Sequence, residues 1–128
     1  MVLTHSEASA DQAFLDSGQY TREAILKYEL VYGANFVSPG GKCCADGLIS
    51  RLGLKTGSRV LDVGCGLGGS AFLMKQKFGL NVDAIDLSDN MLKLAQLRLT
   101  EAGLTGQVSL HNQNCLDIDV KNAYDGIY

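Results

Sequence analysis

Short apolar runs alternate with longer stretches of helical periodicity in the second half of the chain. The helical stretches cover residues 69–78 and a segment that begins after Ser88, a plausible N-cap, where apolar residues recur at helical spacing. The apolar runs predict four strands, over residues 60–63, 81–86, 107–112 and 124–128. Strands that alternate with helices of this length indicate β-α-β units with right-handed crossovers and a parallel sheet. The predicted fold is therefore α/β, with a Rossmann-like arrangement.

The first half of the chain predicts helices rather than strands. Thr21 is suited to cap a helix that ends before Gly33, and residues 42–52 predict another helix closed by Gly53. The segment between them is rich in turn-forming residues. The chain thus divides into a polar, mobile tail, an N-terminal helical segment expected to cover one side of the sheet or its ligand edge, and a ligand-binding core, over residues 1–12, 13–54 and 55–128.

Composition and charge narrow the class of protein. The chain has 128 residues, of which 46% are hydrophobic, enough for one domain with its own core. No apolar run approaches the roughly 18 residues of a membrane span, and the amino terminus lacks the basic and apolar regions of a signal peptide. A net charge of -3 without a basic patch implies neither nucleic acid nor an anionic membrane as partner. We therefore expect a cytoplasmic protein with a small-molecule ligand.

The four cysteines predict neither a metal site nor a disulfide framework. They form no C-x-x-C pair, and the histidines that a zinc site needs do not accompany them. Cys43 and Cys44 are adjacent, an arrangement that favours reduced thiols over a strained bond in a reducing compartment. We expect free thiols and no metal.

A glycine-rich turn carries the main chemical prediction. The sequence RVLDVGCGLGGS, residues 59–70, takes an apolar strand into a turn where a ligand can approach the backbone closely. The glycines also satisfy the G-x-G-x-x-G spacing of dinucleotide-binding proteins, which by itself is weak evidence. Asp62 discriminates between the ligands, because its carboxylate repels a pyrophosphate and attracts an ammonium group. An NAD-dependent oxidoreductase domain remains a less favoured alternative.

Two further positions at strand ends are predicted to contact the same ligand. Asp86 ends the second strand about twenty residues beyond the turn, where a carboxylate can accept hydrogen bonds from both ribose hydroxyls of an adenosyl group. Asn114 follows the third strand, where the adenine is expected, and its amide oxygen can accept from the adenine amino group. Asp117 is an alternative acceptor, although an ordinary loop role is also open for either residue.

The pattern Asp-x-Gly-x-Gly at residues 62–66 resembles motif I of class I S-adenosylmethionine-dependent methyltransferases. Two upstream motifs, FLDSGQYT at residues 14–21 and FVSPGG at 36–41, resemble phosphoethanolamine N-methyltransferases more specifically. The resemblance covers residues 14–128. It implies S-adenosylmethionine as cofactor, a sheet order of 3-2-1-4, and methylation of phosphoethanolamine towards phosphocholine in phospholipid metabolism.

The resemblance also implies roles for individual residues. Tyr20 is the implied catalytic residue, one half of a dyad with a histidine, and the implied substrate-binding residues are Gln19, Tyr20 and Tyr28. The implied cofactor-binding residues are Val37, Ser38, Asp62, Gly64, Gly66, Asp86, Leu87, Asn114 and Cys115. An acid is common in the family at the position of Asn114, which is a departure. A phenol oxygen suits the chemistry, because it can orient an amine nucleophile or help to remove its proton.

The same resemblance suggests that the chain is an N-terminal portion of such an enzyme, ending after the fourth strand. Neither His5 nor His111 matches the position of the dyad histidine. We therefore expect residues 1–128 alone to be inactive and to self-associate through the exposed fourth strand. A non-catalytic module that binds S-adenosylmethionine, or a regulatory module, is the main alternative function.

Overall fold

Four parallel strands form a single sheet at the centre of the protein. The computed structural model describes residues 10–128. The strand order is β3-β2-β1-β4, and the strands are β1 (Arg59–Val63), β2 (Asn81–Asp86), β3 (Val108–Asn112) and β4 (Gly126–Ile127). The predicted order is therefore confirmed, although β4 is shorter than expected. The register pairs Val63 with Ile85 and Asp86 with Asn112, so β1, β2 and β3 end at one edge of the sheet.

Five α-helices accompany the sheet within the described residues, and their bounds are α1 (Ala10–Phe14), α2 (Arg22–Tyr32), α3 (Gly41–Arg51), α4 (Gly69–Phe78) and α5 (Asp89–Glu101). The predicted caps are present, because the side chain of Thr21 accepts from Ala24 N and that of Ser88 from Met91 N. Helix α3 is displaced by one residue from its prediction. The local signals of capping residue and closing glycine thus located these helices closely.

The amino-terminal segment holds two elements that the sequence pattern did not predict. Residues 1–9, most of the predicted tail, lie outside the described residues, and residues 10–12 begin α1. A π-helical turn (Leu15–Gln19) follows α1, with Tyr20 N donating to Leu15 O. Neither element buries a residue fully. Such short, largely exposed elements lack the apolar periodicity from which longer helices are recognised.

The apolar interior consists of two clusters. The larger one packs α3, α4 and α5 against the sheet and includes the fully buried Val60, Met74 and Ala84. The smaller cluster consists of Ile25, Leu67, Met91 and Leu94, with Tyr20 and Val37 packed against it. Because its members come from α2, the glycine turn and α5, this cluster holds the amino-terminal segment on the ligand side of the core.

Other sequence expectations concern cysteines, metals and membranes. All four cysteines are free thiols; Cys65 is buried, and the other three are exposed. Residues 10–128 contain no group of His, Cys, Asp and Glu side chains that could hold a metal ion. Across the same residues, every helix is too short or too polar to cross a membrane.

Candidate functional site

The glycine turn between β1 and α4 is held against the end of β2. The amides of Gly64 and Cys65 both donate to Ile85 O at 2.9 Å. Gly64 and Gly66 have φ angles of 74° and 54°, in the left-handed region that favours glycine. The turn therefore depends on its glycines, and it brings the ends of β1 and β2 to one place.

Two cavities meet at this turn, with volumes of about 340 and 300 Å³. Both are lined by Tyr20, Val37, Val63, Gly64 and Gly66. The larger cavity adds residues from the ends of β2 and β3, namely Leu15, Ile85, Asp86, Leu87, Met91, Gln113, Asn114 and Cys115. The smaller adds Asp62, Ser38 and the start of α4. We call these the β2-side cavity and the Asp62 cavity. All nine residues predicted to bind the cofactor line one or the other.

Asp62 occupies an unusual electrostatic position in the smaller cavity. Its side chain is almost fully buried, and its Oδ2 atom has no hydrogen-bond partner among residues 10–128. Burial, together with the nearby carboxylate of Asp86, raises the pKa of Asp62 to about 7. A buried acceptor without a partner is costly, so this site favours a ligand that brings a donor or a positive charge.

Asp86 accepts a hydrogen bond from the glycine turn and also lines the β2-side cavity. Its Oδ2 accepts from Gly66 N at 2.7 Å, and its Oδ1 accepts from Ser88 N at 2.8 Å. Burial raises the pKa of Asp86, and these backbone hydrogen bonds oppose that rise. The Leu87 amide also bonds this carboxylate; because a carboxylate offers about four lone-pair sites, acceptor capacity remains for a ribose hydroxyl. The sequence analysis did not predict the hydrogen bond from Gly66 N to this residue.

The segment after β3 was predicted to contact an adenine through Asn114. Its structure differs in detail from that prediction. The Asn114 Oδ1 atom, predicted to accept from adenine, accepts from Leu116 N at 3.0 Å and caps a 3-10 turn (Cys115–Asp117). One further lone pair of that oxygen stays open to a ligand. Gln113, which the sequence analysis did not assign, lines the β2-side cavity with a buried Oε1 that has no partner. Asp117 is not among the lining residues of either cavity.

The predicted substrate residues lie on α2 and on the turn before it. Tyr20 lines both cavities, and Gln19 Nε2 donates to its hydroxyl at 3.4 Å. Burial is the main cause that raises the pKa of Tyr20, followed by the charge of Asp86 and by Tyr28. Gln19 and Tyr28 line neither cavity. The geometry therefore brings Tyr20, but neither Gln19 nor Tyr28, to the lining of the two cavities.

The loop between α2 and α3 covers the glycine turn at very close range. A Cβ placed on Gly69 would lie 2.5 Å from Asn35 O and 2.8 Å from the Phe36 ring. Asn35 has a φ of 69°, and its amide donates to Glu29 Oε1 at 2.8 Å. This approach places the following residues, Val37 and Ser38, in the cavity linings. Gly69 thus has a steric role that the spacing of the motif did not reveal.

Asp16 is the functional-site neighbour that sequence reasoning missed. It lies in the quoted FLDSGQYT motif but was given no role. Its carboxylate accepts from the Ser88 hydroxyl, from Asp89 N at 3.0 Å and from Asn90 N at 3.3 Å. No local pattern could have shown this contact, because its partners lie more than seventy residues further along the chain.

Fold and site together define the class of protein. The parallel order β3-β2-β1-β4, a glycine turn after β1 and an acid at the end of β2 form the class I methyltransferase fold. The model of the family described as "Methyltransferase domain" matches residues 60–128. Because this match covers more than half of the sequence, the chain belongs to that family.

Known relatives confirm the more specific resemblance. The chain is 42% identical over 118 residues to phosphoethanolamine N-methyltransferase 1 of Arabidopsis thaliana, covering 91% of this chain and 24% of that protein. It is 35% identical to the Plasmodium falciparum phosphoethanolamine N-methyltransferase, over 72% of this chain and 35% of that protein. The chain thus spans about a quarter to a third of these relatives.

A solved structure agrees with the sequence comparisons. Phosphoethanolamine N-methyltransferase 2 of Haemonchus contortus, in complex with phosphomonomethylethanolamine and S-adenosylhomocysteine, superimposes with a TM-score of 0.87 at 36% identity. The match covers 93% of this chain and 28% of the Haemonchus chain. The fold thus extends to the amino-terminal helices, beyond the residues of the family match.

Proposed function

We propose that this chain binds S-adenosylmethionine across the two cavities and serves the N-methylation of phosphoethanolamine. The carrying observation is the unpaired buried oxygen of Asp62 beside the glycine turn, which complements an ammonium group. Asp86 has acceptor capacity left for a ribose, and Gln113 and Asn114 border the space for an adenine. The Arabidopsis, Plasmodium and Haemonchus relatives support both the cofactor and the phosphobase substrate.

Each group of residues has a role in the proposed reaction. The cofactor supplies a methyl group on a positively charged sulfur. Asp62 would hold the amino end of the cofactor, Asp86 would hold its ribose, and Gly64 and Gly66 line the space between them. The Tyr20 hydroxyl orients the substrate amine through a hydrogen bond. The raised pKa keeps this phenol protonated at neutral pH, so it approaches the amine first as a hydrogen-bond donor or acceptor.

The substrate phosphate requires ligands that these cavities lack. Within residues 10–128, no Lys, Arg or His lines either cavity. A phosphate dianion in such a place is poorly neutralised. We propose that residues 1–128 alone hold the cofactor without methylating phosphoethanolamine. The cytoplasmic location and self-association through β4 stay predictions.

Titration calorimetry tests the cofactor assignment directly. At pH 8 we expect S-adenosylmethionine and S-adenosylhomocysteine to bind residues 1–128, and NAD⁺ to show no binding. Asp62 is the physical reason, because its carboxylate attracts the ammonium group and repels a pyrophosphate. Tighter binding of NAD⁺ would favour the alternative of an NAD-dependent oxidoreductase domain. If neither S-adenosylmethionine nor S-adenosylhomocysteine binds, the cofactor assignment is wrong.

The same titration has a predicted pH dependence. The pKa of Asp62 in the free protein is raised to about 7, and the ammonium group of the ligand favours the ionised form. Binding therefore releases a proton below about pH 7, and affinity falls as the pH is lowered from 8 to 5.5. Asp62→Asn should bind more weakly at pH 8 and lose most of this dependence. If Asp62→Asn binds with the same pH dependence as the unaltered chain, Asp62 does not contact the ammonium group.

Tyr20→Phe tests the proposed catalytic role in any longer form of the protein that contains these residues and turns over. The ring and its packing remain, and only the hydroxyl is lost. We expect turnover on phosphoethanolamine to fall about tenfold, the effect of losing one useful hydrogen bond, with S-adenosylmethionine affinity within about twofold. Tyr32→Phe is the matched control, because Tyr32 packs on the main core and lines neither cavity. Equal turnover in both variants would show that Tyr20 contributes only packing and that its hydroxyl has no part in the reaction.

A further inference from the structure

The π turn at residues 15–19 is held on the amino terminus of α5 by a compact set of polar contacts. Asp16 accepts from the Ser88 hydroxyl and from the first two backbone amides of α5, those of Asp89 and Asn90. The third amide, that of Met91, donates to Ser88 Oγ at 3.1 Å. The amides that usually lack partners at a helix start are thus satisfied, two of them by a residue from a distant segment.

A second set of contacts joins a side chain of α5 to the backbone of the turn. The Asn90 Nδ2 atom donates to Asp16 O at 3.1 Å and to Tyr20 O at 2.9 Å. One side chain therefore holds the backbone at both ends of the turn. The negative charge of Asp16 also lies at the positive end of the α5 dipole, which strengthens the attachment.

These contacts determine one wall of the β2-side cavity. Leu15, the first residue of the turn, and Tyr20, the residue that follows it, are joined by a backbone hydrogen bond, and both line that cavity. Ser88 links the attachment to the ligand-binding carboxylate, since its amide donates to Asp86 Oδ1. Asp16 and Asn90 line neither cavity, and any effect on the ligand must pass through these neighbours.

We propose that Asp16 and Asn90 are positioning residues, which fix the turn at residues 15–20 on α5 and so hold Leu15 and Tyr20 as a wall of the cofactor cavity. The apolar cluster around Met91 buries this segment but does not specify the turn, because apolar packing is non-directional. Hydrogen bonds to a helix start have defined geometry and set the register of the turn. The proposal explains how Tyr20 is held in the position that its role in the proposed function requires. The expected effect of Asp16 and Asn90 on cofactor affinity rests on that proposed function.

The test compares variants of residues 1–128 by hydrogen exchange over residues 12–21 and by calorimetry with S-adenosylhomocysteine. For Asp16→Ala we expect exchange about tenfold faster and binding about tenfold weaker. Asn90→Ala should act in the same direction. Asp16→Asn retains one acceptor oxygen but turns an Nδ2 donor towards either Asp89 N or the Ser88 hydroxyl and Asn90 N, so it should recover only part of both properties. The double variant Asp16→Ala/Asn90→Ala should be little worse than either single one, because both remove the same attachment.

Two control variants separate positioning from general stability. Asp11→Asn removes a carboxylate from the same segment at an exposed position and should change neither measurement. Val108→Ala destabilises the main core and should lower the melting temperature without faster exchange of residues 12–21. If Asp16→Ala resembles Val108→Ala, with a lower melting temperature but unchanged exchange and affinity, the proposal is wrong. If the unaltered chain binds no S-adenosylhomocysteine, the proposed function fails, and exchange alone decides whether Asp16 and Asn90 fix the turn.

Discussion

Gly69→Ala is expected to abolish most cofactor binding and to destabilise the protein by about 2–3 kcal/mol, the upper range for overpacking a close contact. The added methyl group would lie 2.5 Å from Asn35 O and 2.8 Å from the Phe36 ring. Asn35 cannot retreat easily, because its backbone is in the left-handed region and its amide is bonded to Glu29. The loop must therefore move away as a unit and take Val37 and Ser38 out of the cavities. Thermal unfolding should show a melting temperature lower by about 10 °C.

The matched control for Gly69→Ala is Gly47→Ala. Gly47 lies inside α3, and a Cβ there would meet no atom within 4 Å. Alanine at an unhindered helix position stabilises by up to about 1 kcal/mol relative to glycine, so this variant should melt slightly higher and bind the cofactor normally. Similar behaviour of the two variants would show that the loop does not press on the start of α4.

Asp86→Ala should weaken S-adenosylmethionine binding about 100-fold, which corresponds to about 2.7 kcal/mol. The variant loses the proposed ribose contacts and also the acceptor for the Gly66 and Ser88 amides. Hydrogen bonds to a charged group contribute roughly 1.5–3 kcal/mol each, so losing the ribose contacts and disordering the turn supports an effect of this size. Titration calorimetry at pH 8 measures it. An affinity within threefold of that of the unaltered chain would contradict the assignment.

Two further variants show which part of Asp86 matters. Asp86→Asn keeps one acceptor oxygen but turns a donor towards either Gly66 N or Ser88 N, and we expect a loss of about tenfold. Asp83→Ala removes a carboxylate from the same strand that pairs with Arg59 and Tyr124 and lines neither cavity. It should lower stability without changing cofactor affinity. A loss of affinity equal to that of Asp86→Ala would point to a general effect of removing a carboxylate from β2.

The sequence was most informative where the relevant residues are close together in the chain. The glycine turn, the cap at Thr21 and the helix start at Ser88 are recognised from a few consecutive residues, and all three are confirmed. Their conformations depend on local backbone sterics and on hydrogen bonds between near neighbours. The strand order β3-β2-β1-β4 was also predicted correctly. The family resemblance implied which strands are neighbours, which the local pattern of residues alone does not specify.

The pKa and the hydrogen-bond partners of single side chains could not be predicted from the sequence pattern. The sequence identified Asp62 as an acid beside a glycine turn, but its burial and the neighbouring Asp86 are what raise its pKa to about 7. Asn114 was identified as an acceptor, whereas its oxygen already caps the next turn. Both outcomes depend on which atoms surround the side chain after folding, and that environment involves segments remote in sequence.

The sequence by itself therefore determined the class of fold, the order of its strands and the chain positions of residues that line the two cavities. Only the tertiary structure decided that Asp16 contacts α5, that Gly69 lies against Asn35 and that Tyr20 lines both cavities. The physical reason is the range of the interactions. Turns and caps form within a few residues and leave a local pattern, whereas these contacts join segments up to 74 residues apart and depend on packing that no short stretch of sequence encodes.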